Sequence, residues 1–187
     1  WVDLGIQFDA VYTGYLGMIE HVDLLLEYIP KLLKENGEIF IDPAFADNGE
    51  YYHGFDEEYG KAQLRLVEIA DYVFPNLSEA SLMLGLDYKS IDPNNTKDVN
   101  DVLDLLRKAG AKNAILTGVR ENDQIGARLK TSDNETYTSL ETYITQNFHG
   151  TGDVFASVVV GNYLRTSDMH GALDLAVKFV PEAIKAT

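Results

Sequence analysis

EIFIDPAFAD, Glu38 to Asp47, is a short apolar run that stops on a carboxylate and a proline. Such a run, bounded by a turn signal, reads as a buried strand. Pro43 holds the residue before it in an extended conformation, so Asp42 stands at the strand's tip. The same grammar recurs in FDAVYTGY from Phe8, in DYVFPN from Asp71 and in KNAILTG from Lys112. Each is apolar and ends on a polar or glycine-bearing tip. Helical spacing of apolar residues fills the intervals. IEHVDLLLEYIPKLLKENG is read as a helix closed by Asn36-Gly37 as its C-cap, with Pro30 kinking or splitting it. EEYGKAQLRLVEIA, NLSEASLMLG and KDVNDVLDLLRKAG are the other three, and AFADNGEYYHGFD is irregular. QIGARLKT and ETYTSLETYI alternate as a hairpin does, and the chain from Gly150 onward is mostly helix. Strands alternating with helices predict an α/β fold with a mostly parallel sheet covered on both faces. The four tips then line one edge, where open α/β sheets place their ligands. No linker and no internal repeat is visible, so residues 1–187 read as one domain.

Composition narrows the function. A chain of 187 residues is long enough for a sizeable core, and 45% hydrophobic residues is a globular content. The formal net charge of −15 argues against a nucleic-acid partner, because it cannot neutralise a run of phosphates. No cysteine is present, which excludes disulfides, zinc-thiolate sites and thiol nucleophiles. No apolar run is long enough for a bilayer and no signal peptide is visible, so a cytoplasmic protein without a membrane partner is expected. The chain opens on Trp1, close to a core strand, which suggests a piece of a longer polypeptide.

The chemistry gathers at HGTGDVFAS, His149 to Ser157. Gly150 and Gly152 allow close backbone approach to an anion, and the following helix directs its first amides and its dipole to the same place. Walker A is excluded by the missing Gly-Lys-Ser/Thr ending, and the dinucleotide fingerprint by Phe155 where a third glycine is needed. A plain capped turn built on Thr151 or Asp153 is the alternative. His149 has no identifiable partner and reads as solvated.

GTGDVFAS resembles the anion-hole motif of the ribokinase-like kinases. Within that superfamily VYTGYLG, DPAFADNGEYY and VFPNLSEASLMLG resemble the corresponding segments of the pyridoxal (pyridoxine, pyridoxamine) kinases, in the family's order and over nearly the whole chain. The resemblance implies a three-layer ribokinase-like fold, with N-terminal strands and a short C-terminal continuation absent from this chain. It implies ATP-dependent phosphorylation of the 5′-hydroxymethyl group of a vitamin B6 vitamer. Asp153 is then the base, and the amides of Gly150, Thr151 and Gly152 stabilise the transferred group. Asp42 and Glu79 would help hold Mg²⁺ with ATP. Asp47 and Tyr52 would lie over the nucleotide, Asn76 and Thr117 would contact phosphate, and Gly118 would let the nucleotide approach. Tyr15 would flank the vitamin ring. A homodimer is implied, and a need for a monovalent cation such as K⁺ stays open. Blander readings stand beside these: a capping box for Asn76 to Glu79, a turn for Asp47, a fixed strand end for Asp42, a turn residue for Thr117 and plain packing for Tyr15. Two other functions also remain. One is a hydroxymethylpyrimidine kinase of the same fold, many of which carry cysteine where Asp153 stands. The other is a non-catalytic ligand-binding or oligomerisation module.

Overall fold

Alternation along the strands sorts their side chains onto two faces. In the computed structural model, which describes residues 1–144 and 150–186, Phe40 faces one core layer while Ile39 and Ile41 face the other. Ile115 divides in the same way from Ala114 and Leu116. The period of two in a pleated strand requires this. The strands are β1 (Phe8–Thr13), β2 (Leu33–Ile41), β3 (Ala46–Asp47), β4 (Glu50–Tyr51), β5 (Tyr72–Val73), β6 (Asn113–Glu121), β7 (Gln124–Lys130) and β8 (Thr136–Thr142). Six of them form one sheet in the order β1-β2-β5-β6-β7-β8, with the first four parallel and the last two antiparallel.

The helices are α1 (Ile19–Leu32), α2 (Glu57–Val67), α3 (Leu77–Leu84), α4 (Thr96–Lys108), α5 (Thr151–Thr166) and α6 (Met169–Lys185). Parallel strands laid down in chain order, each joined by a right-handed crossover, put every crossover helix on the same face. Residues of α1 to α4 accordingly share a core layer with Ile39, Ile41 and Val73. The opposite face is closed by α5 and α6, whose Phe155, Val159, Ala172 and Leu173 pack with Phe40 and Phe74. The expected α/β architecture, with helices on both faces, is what the chain adopts.

Two local readings are corrected. Helix α1 stops at Leu32, two residues after Pro30, and its C-cap is Leu33 rather than Asn36-Gly37. Asn36 and Gly37 belong to β2, in a bulge where pairing with β1 jumps from Leu33 opposite Phe8 to Glu38 opposite Ala10. Gly37 is needed there for space, since a Cβ would come within 2.6 Å of the Leu33 side chain. Secondly, the stretch taken as irregular contains the small antiparallel hairpin β3–β4. Asn48 and Gly49 turn it with φ of 52° and 78°, the two positive angles that a two-residue type I′ turn demands.

Candidate active site

The parallel strands end in register, and backbone bonds carry that register past their ends. Asp42 N–H donates to the Thr13 carbonyl (2.9 Å), Phe74 N–H to Ile41 (2.8 Å) and Thr117 N–H to Pro75 (3.0 Å). The tips bearing Tyr15, Asp42, Asn76 and Thr117-Gly118 therefore stand in a row. Gly118 has φ of 76° where β6 bulges against β7, and open space lies where its Cβ would be.

Helix α5 begins at this same rim. Its N-cap is Gly150, with φ of 82° and no side chain to fill the first turn, and Asp153 lies within that turn. Gly152 needs no unusual backbone, and nothing lies within 4 Å of where its Cβ would stand. His149 lies outside the described residues.

Asp42 is 6% exposed and Glu79 is 3% exposed. Burial pushes the Asp42 carboxyl up to about 7, a Tyr12 hydrogen bond opposes this, and the charge of Asp153 adds to it. Burial likewise pushes Glu79 up to about 8, the Asp42 charge adds to it, and amides of Asn76, Phe45 and Ala46 pull it back. The Tyr52 phenol is pushed up to about 12 by burial and then by Glu79, Asp47, Asp153 and Asp42. The charges of all four carboxylates are thus felt at the Tyr52 phenol.

Individual roles divide here. Asn76 is engaged at both ends: its Oδ1 accepts from Glu79 N–H (2.9 Å) and its Nδ2 donates to the Ala46 carbonyl (2.8 Å). Glu79 completes a capping box on α3 through Asn76 N–H (2.9 Å) and also accepts from Phe45 N–H (3.0 Å). Both side chains therefore serve the fold, and they pin the segment after Asp42 to α3. Asp47 is exposed and accepts from the backbone and side chain of Asn48, steadying the hairpin turn. Thr117 turns its hydroxyl toward the Pro75 carbonyl (3.4 Å). Tyr15 is not packed away: it is 62% exposed, with one edge on Phe55 at 5.5 Å. Sequence reasoning missed Tyr12, whose hydroxyl donates to Asp42 Oδ2 at 3.1 Å. Its position in a strand gave no sign of that partner, which lies thirty residues away.

Among the described residues no three acidic or histidine side chains close on one point as a complete metal cage. Buried carboxylates forced together nevertheless favour a cation between them. Mg²⁺ suits this donor set, because it keeps several waters and takes one or two carboxylates plus phosphate oxygens. Asp42 would be the oxygen donor for it, since both Glu79 oxygens already accept backbone amides. No helix among the described residues is long and apolar enough to cross a membrane.

The phosphomethylpyrimidine kinase family model matches residues 2–187. Pyridoxal kinase of Dictyostelium discoideum is 28% identical, over 97% of this chain and 63% of its own length. Hydroxymethylpyrimidine/phosphomethylpyrimidine kinase of Aquifex aeolicus is 26% identical, over 94% of this chain and 67% of its own. A Bacteroides thetaiotaomicron structure, described as a phosphomethylpyrimidine kinase and solved in a form with pyridoxal, superposes with a TM-score of 0.92 at 31% identity, covering all of this chain and 66% of the other. The chain thus spans just under two thirds of the Dictyostelium relative.

Proposed function

The chain belongs to the phosphomethylpyrimidine kinase family, and from that premise we propose that it phosphorylates a hydroxymethyl group on a heteroaromatic ring with ATP, the acceptor being pyridoxal, pyridoxine or pyridoxamine. The observation that supports this most is the convergence of Asp153, in the first turn of α5, with Asp42 at a neighbouring strand tip. A base and a cation-binding acid then meet at the end of a helix suited to an anion.

In this mechanism the acceptor oxygen attacks the γ-phosphorus, the bond from phosphorus to the bridging oxygen of ADP breaks, and the hydroxyl proton passes to Asp153. A carboxylate is a weak base, but a loose transition state asks for little early deprotonation. The amides of Gly150, Thr151 and Gly152 receive the equatorial oxygens, and the α5 dipole favours their charge. Asp42 would hold Mg²⁺, which would offset charge on the triphosphate. Tyr52, Asp47 and the hairpin cover the nucleotide, Gly118 lets it approach, and Tyr15 offers its exposed face to the acceptor ring.

Hydroxymethylpyrimidine is the second reading, favoured by the Aquifex relative at nearly equal identity. Aspartate at 153 and the pyridoxal held by the Bacteroides relative favour vitamin B6. A competition assay with both alcohols and Mg-ATP decides between them. Pyridoxal should be consumed first, and preferential loss of the pyrimidine would reverse the assignment. Asp153→Asn should lower kcat by about 10²–10³-fold with KM little changed. Turnover like the parent's would dismiss Asp153 as base.

A further inference from the structure

We propose that Tyr12 is a positioning residue of this phosphoryl-transfer rim, its phenol orienting the Asp42 carboxylate. The assignment rests on the kinase reading of that rim and adds a residue to it.

Tyr12 lies on the face of β1 that packs against α5 and α6, in the layer built around Phe40. From there its hydroxyl reaches past the strand end and donates to Asp42 Oδ2 at 3.1 Å. The Asp153 charge is felt at the same phenol. A phenol has one proton to give and a carboxylate can only accept. Burial, followed by the Asp42 charge, holds the phenol well above the ordinary tyrosine range, so it stays a neutral donor. A lysine here would neutralise the carboxylate that a divalent cation needs. A neutral donor fixes the orientation of Asp42 and leaves its charge available.

Tyr12→Phe keeps the ring and its packing while removing the contact to Asp42. Two measurements test it, each against a melting-temperature control. In steady-state turnover with Mg-ATP and pyridoxal, kcat should fall about tenfold, the usual effect of removing a partner behind a metal ligand, with the nucleotide KM within about twofold. In Mn²⁺ titrations with ADP, read by water-proton relaxation, the half-saturating Mn²⁺ concentration should rise by about the same factor. Equal Mn²⁺ affinity in the parent and Tyr12→Phe overturns the proposal, as does a loss of turnover matched by a fallen melting temperature. If the parent phosphorylates no ring alcohol, the kinase reading fails by itself, and the Mn²⁺ titration still decides the role of Tyr12.

Discussion

Asp42 shows at the scale of one residue how a site carries a cost in the fold. Its carboxyl sits near 7 in the folded chain against 3.8 ordinarily, with burial the main cause. The unfolded chain therefore ionises first, and the fold loses stability as pH rises from about 4 to about 7, with the penalty complete above that. About three units at 1.36 kcal/mol each put an upper bound of about 4 kcal/mol on the penalty. Asp42→Asn should then melt close to the parent at pH 4 and several degrees above it at pH 8 without metal. A variant less stable than the parent at pH 8 would contradict the buried charge. Asp42 was readable as a strand-tip carboxylate from Pro43 alone. Its electrostatic state was not, because the cost of burial depends on neighbours that local pattern does not name.

Among the elements, the first turn of α5 separates space from backbone strain. Gly150 needs its positive φ of 82°, so any side chain there disturbs the helix entry. Gly152 has an ordinary helical backbone with open space beside it. Gly152→Ala should therefore fold at least as well as the parent, gaining up to about 1 kcal/mol of helix propensity. Under the proposed mechanism the new methyl enters the space of the transferred group, and turnover should drop at least about tenfold. Equal turnover would move the anion away from this turn. The two glycines were legible as a pair, and φ divides their roles. The capping box on α3 was also legible, since Asn76 and Glu79 lie three residues apart on a local pattern. Their bonds to Ala46 and Phe45 were not, because those partners come from a different strand tip.

The whole molecule holds this rim by clamping the sheet between two helical layers. Phe40, fully buried, joins β2 to α5 and α6 and stacks on Tyr72 at 5.4 Å. Phe40→Ala should destabilise by about 3–5 kcal/mol. Phe179→Ala, at 45% exposure on α6, should stay within about 1 kcal/mol. Equal losses in thermal or denaturant melts would refute the layering. The sequence by itself determined the order of strands and helices, the carboxylates at strand tips, the glycine turn and the caps. Those follow from periodicity and turn chemistry acting within a few residues. It misplaced the end of α1, where the bulge after Pro30 depends on pairing with β1. Only the tertiary structure decided that Asp153 and Asp42 share one rim, that Glu79 and Asn76 also bind the Phe45 and Ala46 backbone, and that Tyr12 reaches Asp42. Desolvation and Coulomb forces act through space, and the groups they join here lie from about thirty to more than a hundred residues apart in the chain.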